Sequence, residues 1–404
     1  MRIAILSAMD TSDPRSWSGT PYHAREGLAR QGAEIIDLGP MPAWPLWAMQ
    51  ARRRIERRIG IPQTLPGASV AYSRLCSQIA KARLARLPER PDVVLSPIGS
   101  ALVANLDTDV PVAYLSDATV RLMLGYYPEF TDLSTRSIRT AERLEAAAIR
   151  RAALMIYPTR WAAESAIRHY GADPARVLVA PFGANLVEPE IDPGEGPPED
   201  GVCRLLFVGA DWERKGGEIA LTVLRRLQAA GVRSEMTLVG ARPPRPVDLP
   251  GAQFVGFLDK SQREHRQRLN ALYRRSNFFV LPTRNECYGI VFCEAAAYGL
   301  PVITARTGGV PEVVREGISG FTRPLDDDGA GYAACIAEIW ADPERYQSFR
   351  AASRAAFESR LNWTAWSRSV LTTMERLAAQ PLGKTGSAGG HVPEMAAVTG
   401  HTVW

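Results

Sequence analysis

Short apolar runs of strand length alternate with helix-length segments along this chain, and the alternation occurs twice. The first series comprises residues 3–7, 35–38, 93–96, 112–115, 155–158 and 177–180. The second comprises 204–208, 236–239, 254–255, 278–281 and 302–304. Strands interleaved with helices build a parallel sheet with helices on both faces, because a parallel neighbour is reached only through a crossover. Between the two series lies EPEIDPGEGPPEDG, residues 188–201. Rich in Pro, Gly and acid and without periodicity, it cannot pack a core and reads as a linker. The pattern therefore predicts an α/β chain of two Rossmann-like, doubly wound domains facing across a cleft. The expected divisions are a domain over 1–187, the linker, a domain over 202–361, a helix over 362–380 and an unpatterned, disordered tail over 381–404.

Composition narrows the class. Of 404 residues, 46% are hydrophobic and 23% charged, which excludes fibrous and wholly disordered chains. No uncharged apolar run reaches the roughly 18 residues that a bilayer span requires. The opening MRIAILSAMD reads as a buried first strand in place of a leader peptide. Cys76, Cys203, Cys287, Cys293 and Cys335 lack metal-binding spacing, so a reduced, cytoplasmic setting is expected, with Cys287 and Cys293 as small core residues. Only four lysines occur, Lys81, Lys215, Lys260 and Lys384, so a lysine inside a motif merits inspection.

Ligands of open α/β sheets bind beyond the carboxyl ends of the strands, which directs attention to strand-to-helix loops. In residues 278–320, FFVLPTRNECYGIVFCEAAAYGLPVITARTGGVPEVVREGISG, a buried strand enters a polar loop and then a helix from about Ile290. Gly289 at that turn permits close backbone approach, and the amide groups of Gly289, Ile290 and Val291 form an anion site at a helix start. Glu286 precedes the helix and Glu294 lies just over one turn into it, so the two carboxylates can flank one ligand. The plainer reading is a loop carboxylate and a solvated helical one. Glu294 stands in the apolar stretch VFCEAAAYG, where a carboxylate needs a partner. In residues 205–217, LLFVGADWERKGG, a strand ends at Gly209 and a charged loop carries Arg214 and Lys215. This is either a phosphate-binding loop or a solvated turn.

These segments resemble the donor site of the retaining family 4 glycosyltransferases, which have the GT-B fold. The family's E-x7-E spacing is met by Glu286 and Glu294. Gly299, Pro301 and Val302, then Gly308, Gly309 and Glu312, then Gly317, Gly320 and Phe321 follow in family order. Residues 180–185, APFGAN, resemble the strand-end motif before the linker. Asn362-Trp363 resembles the start of a last helix that crosses back to the first domain.

The resemblance implies roles. Glu294 would bind the ribose hydroxyls of a nucleoside diphosphate sugar, and Glu286 would lie beside the transferred hexose as a catalytic residue. Gly289, Ile290 and Val291 would hold the distal phosphate. Lys215 takes the family's lysine position on the diphosphate. The family's arginine follows the strand-end glycine, where this chain has Ala210, and Arg214 stands in for it. Gly19 and Thr20 resemble the flexible loop facing donor sugar and acceptor, with His23 a helix-surface residue. Asp117 occupies the place where many members carry a sugar-contacting histidine, although Ser116-Asp117 equally suits a helix cap. Nucleobase contacts would come from backbone near Gly240 and Phe257-Leu258.

The implied activity is transfer of a hexosyl group to an acceptor hydroxyl on a glycan, lipid-linked sugar or small molecule. Configuration would be retained in a front-face reaction, the leaving phosphate deprotonating the acceptor. No cofactor and no metal are expected, since Arg214, Lys215 and the helix start can neutralise the diphosphate. A nucleotide-sugar epimerase of similar architecture and a catalytically silent GT-B scaffold are the alternatives. The nucleobase (UDP, GDP or ADP), sugar, acceptor and linkage stay open.

Charge is uneven. The net charge is +5, yet residues 51–90 hold ten Arg/Lys against two Asp/Glu. Within residues 41–60, MPAWPLWAMQARRRIERRIG, Trp44, Trp47 and Met49 precede five arginines. Two readings stand. One is a solvated helix whose apolar stripe packs on its own domain. The other is peripheral contact with the anionic inner face of a membrane. No nucleic-acid motif accompanies the cluster, and nucleic acid is not expected as a partner.

Overall fold

The computed structural model describes residues 1–187, 190–194 and 196–379. Residues 188, 189 and 195 of the expected linker, residue 380 and the expected disordered tail lie outside the described residues.

Two six-stranded parallel sheets form the frame. In the first, β1 (Arg2–Ser7), β2 (Glu34–Pro40), β3 (Val93–Pro97), β4 (Val112–Leu115), β5 (Leu154–Tyr157) and β6 (Val177–Val179) lie in the order β2-β1-β3-β4-β5-β6. In the second, β7 (Cys203–Gly209), β8 (Ser234–Gly240), β9 (Ala252–Gly256), β10 (Phe278–Leu281), β11 (Val302–Ala305) and β12 (Gly320–Arg323) lie in the order β12-β11-β10-β7-β8-β9. β12 was not anticipated. It is a four-residue edge strand with alternating burial, too short for its periodicity to register. Strand order reverses between β1 and β3 and between β7 and β10, and the crevices left there sit beyond the strands' carboxyl ends.

Six helices bear on the site: α1 (Thr20–Arg30), α2 (Trp44–Arg58), α3 (Arg160–Tyr170), α4 (Gly217–Ala229), α5 (Ile290–Ala297) and α6 (Trp363–Ala378). α5 begins where left-handed Gly289 ends its loop, and its sequence, apolar apart from Glu294, fits burial on most sides. α6 starts sharply because the Asn362 side chain accepts the Ala365 N–H at 2.7 Å. It returns to the first half of the chain and packs on α1. There a Cβ at Gly27 would come within 3.3 Å of the Trp363 carbonyl.

One core cluster runs from Ile3 and Leu28 through Phe182 to Phe207, Phe279 and Trp363, joining the two halves; another packs the opposite face of the first sheet. Trp363 stacks on Phe182 with centroids 5.7 Å apart and on His23 at 6.2 Å. Each such buried ring contributes on the order of 2–3 kcal/mol. His23 is therefore not a surface residue. α6 covers it, and burial pushes its pKa down to about 3, with the charge of Lys260 acting in the same direction. The sequence around His23 could not reveal this, because the covering helix lies more than 300 residues away. All five cysteines are free. Among the described residues, no helix is long and apolar enough to cross a membrane.

Candidate active site

Loops at the carboxyl ends of both sheets enclose a cavity of about 820 Å³. The loop after β7 supplies its cations. Gly209 ends the strand, and a Cβ there would lie 2.8 Å from Lys215 Cγ, so the bare backbone lets the lysine fold back over it. Lys215 is buried, and its ammonium is paired with the Glu286 carboxylate. Arg214 donates to the Asn285 carbonyl at 3.1 Å, and its guanidinium lies 5.5 Å from the centre of the Tyr127 ring. The structure thus joins Arg214, Lys215 and Glu286 in one corner.

The loop after β10 supplies the anion-facing turn. Gly289 has φ +88°, and a Cβ there would fall 2.3 Å from the Phe292 ring, so glycine is required on both counts. Gly289, Ile290 and Val291 line the cavity where α5 begins. The first amides of a helix lack intrahelical acceptors and attract anions.

Glu294 is 0% exposed to solvent yet borders the cavity wall. It receives the Tyr273 hydroxyl at 3.0 Å and is ion-paired with Lys260. The partner that the apolar context demands is therefore a lysine 34 residues upstream. Lys260 was not among the expected site residues; the scarcity of lysine was the one signal that could have found it. Gly240, Phe257 and Leu258 line the same end of the cavity.

The opposite wall comes from the first sheet. Trp17, Ser18 and Gly19 follow one another with φ of 42°, 56° and 87°. Left-handed conformations cost about 1–2 kcal/mol at non-glycine residues, so this loop needs external support. The Asn185 side chain provides it. Its amide donates to the Ser18 carbonyl at 2.6 Å, and its oxygen accepts the Trp363 indole N–H at 2.9 Å. The last helix thereby fixes the first loop through the end of the APFGAN motif. Thr20, Ser18 and Trp17 reach the cavity, whereas Gly19 shapes the loop without lining it.

Asp117 also lines the cavity. The one-turn helix that follows begins at Val120 after Thr119, so Asp117 is not its cap. Burial pushes the Asp117 pKa up to about 7, and the nearby Glu286 charge adds to the shift. Its carboxyl group is thus protonated in a large fraction of molecules near neutrality and can donate a hydrogen bond.

The walls also touch at places that the sequence did not disclose. The Tyr126 hydroxyl accepts the Glu286 N–H at 2.8 Å, and the Tyr127 hydroxyl accepts the Cys287 N–H at 3.1 Å. Glu312 accepts the Arg160 and Trp161 amides, each at 2.8 Å, satisfying the start of α3 from the other half of the molecule. The acidic clusters Asp107–Thr108–Asp109 and Asp326–Asp327–Asp328 lie outside the cavity lining. They are engaged by Lys81, Arg90, Arg323 and Arg226.

Comparison with known proteins bears on this geometry. Residues 203–342 match the family described as Glycosyl transferases group 1. The D-inositol 3-phosphate glycosyltransferase of Geodermatophilus obscurus is 32% identical over 228 residues, 52% of this chain and 48% of that protein. The glycogen synthase of Mycobacterium tuberculosis is 33% identical over 177 residues, 41% of each chain. The chain spans about half the length, or less, of these curated relatives. Among solved structures, sucrose-phosphate synthase from Thermosynechococcus elongatus superposes with a TM-score of 0.66 at 18% identity, covering 94% of this chain and 99% of that one. Anabaena HepE in complex with UDP superposes with a TM-score of 0.62 at 17% identity, covering 93% and 100%.

Proposed function

We propose that this chain, whose residues 203–342 form a group 1 glycosyl transferase domain on a GT-B scaffold, transfers a hexosyl group from a nucleoside diphosphate sugar to an acceptor hydroxyl. The carrying observation is the corner where Lys215 and Arg214 face the Gly289 turn across a cavity walled by both sheets. The diphosphate docks in that corner. Its negative charge grows as the glycosidic bond breaks, and positioned cations and helix-start amides stabilise that charge most in the transition state. Phe257, Leu258 and Gly240 receive the base, and Glu294, oriented by Lys260 and Tyr273, receives the ribose hydroxyls. Glu286, now paired with Lys215, turns to the hexose once the diphosphate gives the lysine a second anion. Neutral Asp117 donates to a sugar hydroxyl.

Configuration is retained by a front-face displacement. The glycosidic oxygen leaves with its electron pair on the phosphate, and a phosphate oxygen takes the acceptor proton as the new bond forms. Tyr126, Tyr127 and Glu312 hold the walls together, which limits access of water to the reacting carbon. No step requires a metal, because Lys215, Arg214 and the helix start carry the neutralising charge. The acceptor is a glycan, a lipid-linked sugar or a small molecule, and the protein works in the cytoplasm, where nucleotide-sugar donors and free thiols coexist.

Thermal stabilisation by UDP, GDP and ADP, followed by an acceptor screen read by NMR of the anomeric centre, tests this reading. Ligand binding to the native state raises the melting temperature. Stabilisation by none of the three nucleotides, or an inverted anomer, would sink it. Conversion of the donor without any acceptor would instead identify an epimerase.

A further inference from the structure

A surface helix ordinarily turns its apolar residues toward the core. Over much of its length α2 also does the reverse. Leu46 and Met49 pack inward, and Glu56 is the buried residue of the helix. On the opposite face, the helical repeat aligns Trp44, Trp47, Ala48, Ala51 and Ile55, and Ile59 extends the row. Trp44 and Trp47 are each 64% exposed, and Ile55 and Ile59 each 62%. Arg52 and Arg54 flank this stripe, and Arg58 rises within it. α2 carries five arginines and one glutamate, and that glutamate is spent on Arg52 and on the Thr64 amide.

We infer that this face of α2 docks on an anionic lipid bilayer, with the helix lying in the plane of the headgroups. Tryptophan rings favour that depth because one edge is polar and the rest apolar. Ile55 and Ile59, further along the row, enter the acyl boundary, and the arginines extend to lipid phosphates while their stems cover apolar surface. A second copy of the chain fits the face poorly. A symmetric contact would set the same arginines against one another, and the cores of protein interfaces are depleted of charge.

Placement adds a purpose. α2 follows β2 at its carboxyl end, the end that faces the cavity. Gln63, just after α2, donates its amide to the Asp132 carbonyl at 2.7 Å, and Ser134 donates to the Gln63 carbonyl at 2.9 Å. Glu129 and Phe130, a few residues earlier, line the cavity. The segment that follows the docked helix is thus tied to the segment that carries Glu129 and Phe130 to the cavity, so docking sets the proposed acceptor wall near the lipid surface. The docking itself does not rest on the transferase reading.

Flotation of the full chain with vesicles tests the inference. The chain is expected to float with vesicles of phosphatidylcholine and phosphatidylglycerol in equal parts and not with phosphatidylcholine alone. The double substitution Trp44→Ser/Trp47→Ser leaves the charge unchanged and is expected to lower the bound fraction about tenfold or more. Arg54→Gln/Arg58→Gln is expected to weaken binding and flatten its salt dependence. Absence of wild-type flotation with the anionic vesicles would overturn the inference. So would equal flotation of the tryptophan variant, which would reduce the effect to the net charge of the chain. A dimer seen by sedimentation and abolished in that variant, without vesicle binding, would assign the face to a second copy. Stabilisation of the same variants by UDP, GDP or ADP reports the donor site separately, so the two readings fail independently.

Discussion

The proposed donor wall of the cavity holds two ion pairs, Lys215–Glu286 and Lys260–Glu294, together with Arg214, whereas the proposed acceptor wall presents Trp17, Ile98, Met123, Tyr127, Phe130 and Phe182. The first wall comes mainly from three strand-to-helix loops of one sheet. The second is assembled from loops some 170 residues apart in sequence and is held from outside by Asn185 and Trp363. Charge recognition of a diphosphate needs particular residue types at short fixed spacing. An aromatic wall needs only shape, which many residues can supply from many places. The matched family segment, residues 203–342, lies wholly in the half of the chain that supplies the proposed donor wall.

The sharpest way to break this contrast is Lys215→Ala. Loss of one charge-stabilising donor is expected to cost about 3 kcal/mol of transition-state stabilisation, a fall of 10²–10³ in kcat. Unchanged turnover would remove Lys215 from the donor wall. Glu294→Gln comes next, with an expected loss of about 1–3 kcal/mol in nucleotide affinity, measured by calorimetry. A large drop in melting temperature with normal affinity would make Glu294 a core residue instead. On the acceptor side, Asn185→Ala frees the left-handed loop. Here the expected cost is about 1–2 kcal/mol, seen as a lower melting temperature and a higher acceptor KM at unchanged donor affinity. Donor affinity falling in step would show that the two walls are not separable.

A smaller effect concerns pH. With its pKa raised to about 7 from 3.8, folded Asp117 binds more protons than the unfolded chain between those values. It therefore lowers stability progressively as pH rises through that window. Asp117→Asn is expected to flatten this part of the profile, read from melting temperatures between about pH 4 and 8. Glu145, whose pKa burial also raises to about 7, keeps a residual slope of the same sign, so the difference between the two proteins is the readout. His23 works oppositely: its pKa falls to about 3, so its contribution is present above about 6.5 and is lost on acidification. The smallest expected effect is that of excess chelator on turnover, namely none. Loss of activity restored by Mn²⁺ would overturn the proposed neutralisation by Lys215, Arg214 and the helix start.

Much of this was legible in the chain. Alternating apolar runs indicate two parallel sheets, because burial on both faces leaves an uninterrupted apolar strand such as Phe278–Leu281. That Gly209, Lys215, Glu286, Gly289 and Glu294 meet at one cavity was legible too, because they stand in or beside strand-to-helix loops and those loops gather at the carboxyl end of a parallel sheet. What stayed hidden arises between segments distant in sequence. Lys260 finds Glu294 only once β9 lies near α5. His23 is buried only because α6 returns, Tyr126 and Tyr127 meet Glu286 and Cys287 only across the cavity, and the apolar face of α2 is known to point outward only when its inward face is seen filled. Local pattern records which conformations and charges a segment can adopt. Which remote surface covers it is decided by packing, an energy shared among residues that no short stretch of sequence contains.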